Sequence, residues 1–237
     1  FQDPVFLNSI PTLFKLMIPR LLISVIVPLI AAELIFGVRS KRWQYNYRVM
    51  VLLPMVAPGL VYTLLWQKIY DPQSGLLSTI LRGLGLIGQD QIVNWLGDPK
   101  LVIPALIFMG FPWIGGTAVL IYMSGLMNIS GEVIEASILD GCTPMQRIRH
   151  IDLPLLIGQI KYFLVFGLIG GIQDYNSQLV LTQGGPGYTT YVPGYYMYIK
   201  AFGASRMGYA SAVGVVMFVV IFGLTILIMR YKKKEEV

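Results

Sequence analysis

Apolar blocks alternate with polar intervals along the whole chain, and five of the blocks are long enough to cross a hydrocarbon layer about 30 Å thick, which takes about 20 residues of helix. They cover 12–36, 49–68, 101–127, 156–181 and 210–229. All five are expected to be helices, because a barrel would show short strands of alternating polarity. Pro54 and Pro58 interrupt the second block, and Gly110, Pro112, Gly115 and Gly116 interrupt the third. Helices with such breakers need neighbours to satisfy their backbone, which puts them inside a bundle.

The intervals set the orientation. Arg39, Lys41, Arg42 and Arg48 follow the first block, Arg147 and Arg149 follow the third, and Arg230, Lys232, Lys233 and Lys234 follow the last. The opposite intervals hold only Lys68, Arg82, Lys100, Lys200 and Arg206. The richer set is assigned to the cytoplasm. The chain starts without a basic leader, so its own apolar blocks are expected to direct insertion, and it starts without Met, so earlier residues are expected.

Residues 130–155 form the longest polar interval that still reads as ordered. Ser130 is placed to cap a helix carrying Glu132 and Glu135 near its positive end, and Gly141 to end it in a left-handed C′ conformation. Thr143 then caps a second helix with Pro144 at its first position, and Pro154 closes the unit.

Composition agrees with a membrane protein. Hydrophobic residues make up 55% of the 237 and charged residues 13%, against roughly a quarter charged in soluble proteins. Mean hydropathy is +0.66. The net charge of +6 collects at the ends of apolar blocks, so it reports topology rather than a nucleic-acid surface. The single cysteine, Cys142, allows no internal disulfide, and the single histidine, His150, cannot form an HExxH site. No Gly-Lys dipeptide occurs, which excludes a phosphate-binding Walker A loop. The chain is expected to be no enzyme and to hold no cofactor or metal.

Within the polar interval, Glu135, Ala136, Ser137, Asp140, Gly141, Ile151, Leu153 and Pro154 resemble the EAA loop of binding-protein-dependent ABC importer permeases. Ser137 stands where the family has a second alanine. Downstream, Leu181-Thr182-Gln183-Gly184-Gly185-Pro186 resembles the Leu-Thr-x-Gly-Gly-Pro stretch of the sugar-importer branch. The resemblance, to the maltose-type transmembrane subunit, implies an all-α polytopic bundle with the type I importer permease fold, one domain over 1–237. It implies a multi-pass permease in a bacterial or archaeal cytoplasmic (inner) membrane, in contact with lipid, that moves a sugar or oligosaccharide. Its partners would be a second permease, two cytoplasmic ATPases holding ATP and Mg, and an external solute-binding protein, with no nucleic acid. Glu135, Ala136, Ser137, Asp140, Gly141 and Pro154 would couple to the ATPase.

Candidate substrate contacts are Tyr62, Trp113, Gln173, Asp174, Tyr175 and Asn176. Amides, hydroxyls and flat rings suit a hydroxyl-rich ligand. Asp174 stands out on physics alone, since an aspartate at the centre of a membrane helix costs ~2.5 to 3.5 kcal/mol and must face water, a partner or a ligand. Lys15, Arg20 and Glu33 read as charges that snorkel from the first block. The alternative is the same architecture carrying a non-sugar or acidic solute, for which Lys15, Arg20 and Lys161 would matter. An ion-coupled secondary transporter is the further rival, but neither repeated halves nor paired intramembrane carboxylates are seen.

Overall fold

The computed structural model describes residues 3–230, and among these every regular element is helical. Lys232, Lys233 and Lys234, counted above for orientation, lie outside the described residues. Among the described residues two helices are long and apolar enough to cross a membrane unaided, α1 (Pro4–Phe36) and α12 (Met207–Arg230). Three more candidates are bent pairs: Lys41–Val56 with Gly59–Ile69 at 88°, Gly116–Met127 with Gly131–Leu139 at 73°, and Pro144–Leu155 with Ile157–Thr182 at 67°.

The breaks follow the sequence. The second block is α2 (Lys41–Leu52), a 3₁₀ turn over Leu53–Val56, and α3 (Gly59–Ile69). Pro54 lies in the 3₁₀ turn and Pro58 just before α3, each removing a backbone donor. The short α4 (Leu76–Gly83) lies between α3 and the third block. That block is α5 (Val102–Phe108) and α6 (Gly116–Met127), separated by the glycine and proline run. Trp113 in this gap has φ +57°, a left-handed conformation that bulky side chains rarely adopt.

By compactness the chain separates into two units. One gathers the chain up to Arg20, Ala57–Phe111 and Leu168–Leu224. Its aromatic centre is Trp66 and Tyr70 against Ala105, with Tyr62 and Phe108 packed around them. The Tyr70 hydroxyl donates to the Ala105 carbonyl at 2.6 Å. Trp66 is only 8% exposed, so it serves packing rather than an interfacial belt.

The other unit gathers Leu21–Val56, Pro112–Gly167 and the chain from Thr225. Ala32 and Ile35 of α1 pack with Val119, Tyr122, Met123 and Leu126 of α6 and with Leu156. Small residues set these approaches: a Cβ on Gly125 would strike Leu156, and one on Gly116 the Val51 carbonyl and Met55. Gln44 is buried, and its amide donates to the carbonyls of Phe36 and Val38 at 3.0 and 2.9 Å. It thereby satisfies acceptors left open where α1 ends.

Candidate functional site

Two sets of residues carry the functional expectations. The first is the polar interval. Ser130 is the N-cap of α7 (Gly131–Leu139) and accepts from the Val133 N–H. At the other end Gly141 has φ +74°. The Cys142 N–H reaches back to the Ser137 carbonyl at 2.9 Å and the Gly141 N–H to the Ile138 carbonyl at 3.0 Å. This pair of bonds is a Schellman termination, which requires a residue that tolerates the left-handed conformation at C′. Thr143 and Gln146 then cap α8 (Pro144–Arg147) reciprocally, the Gln146 side chain accepting from the Thr143 N–H at 2.8 Å.

Only one side of this module is held. Ser137 is the buried residue of α7, donating to the Ile134 carbonyl at 2.6 Å. Glu135, Ala136, Asp140 and Gly141 are exposed, and so are the apolar side chains of Val133, Ile138, Leu139 and Met145. Leu139 is 88% exposed. A π-helical turn, Ile148–Asp152, leads into α9 (Leu153–Leu155), so Pro154 lies inside a helical turn, two residues before the bend into α10 (Ile157–Gln173).

Sequence reasoning missed the residue that anchors the module. Asp152 is fully buried and accepts from Arg147 Nε at 3.0 Å, while the Arg147 guanidinium lies over the Phe36 ring, 5.7 Å from its centroid. The available signal was an acidic residue at the head of an apolar run, five positions after an arginine.

The second set surrounds Asp174. The helix α10 stops at Gln173, and Asp174 restarts the chain: its Oδ1 accepts from the Asn176 N–H at 3.1 Å. Its Oδ2 accepts from the Ser177 hydroxyl at 3.3 Å and from Arg20 Nη1 at 3.1 Å. Arg20 is fixed in turn, donating through Nη2 and Nε to the Leu106 carbonyl at 2.6 and 3.2 Å. The guanidinium therefore does not snorkel; it is tied to a carboxylate and a carbonyl.

A cavity of about 350 Å³ opens here, near the small end of ligand sites. Asp174, Asn176, Ser177 and Thr63 give it polar walls, and Leu60, Met109 and Val180 an apolar one. Of the six expected contacts, Asp174 and Asn176 line it. Gln173 is exposed beside them, and Tyr175 stacks on Tyr198 at 5.3 Å. Tyr62 is in the same unit but packs edge-on against Trp66. Trp113 belongs to the other unit. Beyond the site, α11 (Pro193–Tyr198) buries Tyr195 and Tyr196, and Tyr188, Tyr191 and Tyr195 meet at ring distances of 5.0 Å. Much of this tyrosine cluster is packing. Among the described residues no group of three or more His, Cys, Asp or Glu is placed to hold a metal.

Residues 6–234 match the family described as binding-protein-dependent transport system inner membrane component. The probable ABC transporter permease protein YurN of Bacillus subtilis is 31% identical over all of this chain and 81% of that protein. The diacetylchitobiose uptake system permease protein NgcF of Streptomyces coelicolor is 28% identical over 92% of this chain and 64% of that protein. A crystal structure of a bacterial ABC transporter involved in the import of the acidic polysaccharide alginate contains a chain 25% identical to this one. Their superposition gives a TM-score of 0.86 over 98% of this chain and 82% of that one.

Proposed function

The chain belongs to the family of binding-protein-dependent transport system inner membrane components, and from that premise we propose that it is the transmembrane permease of an ATP-driven importer of a sugar or oligosaccharide. A family member of this kind is not itself catalytic. ATP and Mg reside on two partner ATPases, a second permease completes the pathway, and a solute-binding protein delivers the ligand from outside. The multi-pass chain sits in a bacterial or archaeal cytoplasmic membrane.

The observation that carries this reading is the doubly capped module over 130–155. Short helices that leave Ile138, Leu139 and Met145 exposed in a polar interval need a partner to cover them. Glu135, Ala136, Ser137, Asp140, Gly141 and Pro154 form the lever. The α7 end docks on the ATPase, and Asp152 bonded to Arg147 transmits its movement into α10. A cavity with hydrogen-bonding walls beside an apolar one suits a saccharide, whose hydroxyls need directional partners and whose ring faces are apolar.

The test is uptake by the assembled importer in vesicles, with its binding protein outside and ATP inside. Labelled oligosaccharide is expected to accumulate only with ATP. Accumulation driven by an ion gradient without ATP overturns the proposal.

A further inference from the structure

The ion pair at the cavity wall bears on which saccharides can enter. Among the described residues Asp174 is the one ionisable side chain lining the cavity, with Arg20 bonded behind it. The guanidinium is tied to the Leu106 carbonyl as well as to Asp174, and its Nη1 also reaches the Ser177 hydroxyl at 3.5 Å. The carboxylate is immobilised from three sides, by Arg20, by the Ser177 hydroxyl and by the Asn176 N–H. Among the described residues Oδ1 accepts only the Asn176 N–H, so a lone pair remains for a hydroxyl donor. The side chain keeps 32% of its surface accessible.

We propose that Asp174 is a specificity-determining residue that admits neutral saccharides and excludes acidic ones, with Arg20 as the positioning residue that holds it. A neutral sugar offers hydroxyl hydrogens to Oδ1. A uronate brings a second carboxylate against Oδ1, and Arg20, already committed to Oδ2 and to the Leu106 carbonyl, offsets only part of the repulsion between like charges. The inference rests on the saccharide reading above and sharpens it, because the fold also serves a transporter involved in alginate import. Fold alone leaves the charge class of the ligand open; the sign of the wall decides it. Arg20 would attract an acidic ligand only if Asp174 were removed.

The experiment uses the importer assembled with its ATPases in nanodiscs, without the binding protein, whose own selectivity would mask the effect. Binding of cellotriose and of the matching triuronate is followed by saturation-transfer NMR. The wild type is expected to bind the neutral trisaccharide in preference, and Asp174→Asn to shift the ratio toward the triuronate by about tenfold or more. Because Asp174→Asn leaves a partly buried cation unpaired, the double variant Arg20→Gln/Asp174→Asn is measured as well. It holds neither charge, and its ratio is expected to lie between those of the wild type and Asp174→Asn. Unchanged ratios in both variants, with the neutral sugar still bound, overturn the role of Asp174 while leaving a sugar permease in place. Failure of both sugars to bind the wild type overturns the saccharide reading and this inference with it.

Discussion

Arg147 Nε lies 3.0 Å from Asp152 Oδ2, with the aspartate side chain 1% exposed and the arginine 24%. The two are five residues apart, joined by the π-helical turn Ile148–Asp152, and they tie the exposed module to the start of α10. Removing one partner of a buried pair strands the other, which costs about 3–5 kcal/mol, whereas removing both in favour of apolar side chains is often neutral. Arg147→Leu is therefore predicted to lower the melting temperature of the purified permease clearly, and Arg147→Leu/Asp152→Leu to recover most of the loss. A single variant that melts like the wild type would contradict the anchoring role.

Glu33 gives the opposite prediction. Both of its carboxylate oxygens are buried, and among the described residues neither has a hydrogen-bond partner, so no hydrogen bond offsets the desolvation of the charge. Glu33→Gln is predicted to keep or raise the melting temperature, by up to about 1–3 kcal/mol of relieved desolvation. A loss as large as that of Arg147→Leu would reveal a hidden role for the carboxylate.

Gly141 is constrained by its backbone alone, since a Cβ built there meets nothing within 4 Å. At φ +74° an L side chain costs roughly 1–2 kcal/mol, with asparagine the least affected. Gly141→Val is predicted to leave membrane insertion intact while abolishing ATPase stimulation by loaded binding protein, and Gly141→Asn to retain most of it. Equal stimulation in wild type, Asn and Val variants would dissociate the turn from coupling.

Asp3 supplies a pH dependence. Its Oδ2 accepts from the Tyr196 hydroxyl at 2.8 Å and from Lys200 Nζ at 3.3 Å, and the tyrosine hydrogen bond above all holds the carboxyl below its ordinary value. A carboxylate depressed in the native state stabilises fully above the unfolded value of about 3.9, and the gain disappears as pH falls through the native value. The difference in melting temperature between wild type and Asp3→Asn is predicted to be constant near neutrality and to shrink toward zero in acid. A difference that grows in acid would have the wrong sign for this contact.

Local signals were legible in the sequence and distant pairings were not. Ser130, Gly141, Thr143 and Pro144 act through bonds that close within a turn or two, so residue type and spacing are enough to place them. Pro54 and Pro58 announced the break in the second block for the same reason. Arg20 and Asp174 are 154 positions apart, and read singly each looks like a different thing, a snorkelling cation and a ligand carboxylate. Hydropathy averaged over the block 156–181 also hid the break at Asp174 and Tyr175, because the polar run from Gln173 to Gln178 is short and apolar residues resume at Leu179. Position along the chain likewise says nothing of Tyr62, Tyr70 and Phe108 closing around Trp66.

The most direct measurement places a cysteine at Ala136, an exposed position of α7, in a Cys142→Ser background, within the importer assembled in sealed right-side-out vesicles. A short thiol-reactive cross-linker that crosses the membrane is predicted to join Ala136→Cys to an ATPase subunit, and an impermeant thiol reagent added outside to leave it unlabelled. Labelling from outside, or no cross-link to the ATPase while transport proceeds, would contradict a cytoplasmic lever driven by ATP.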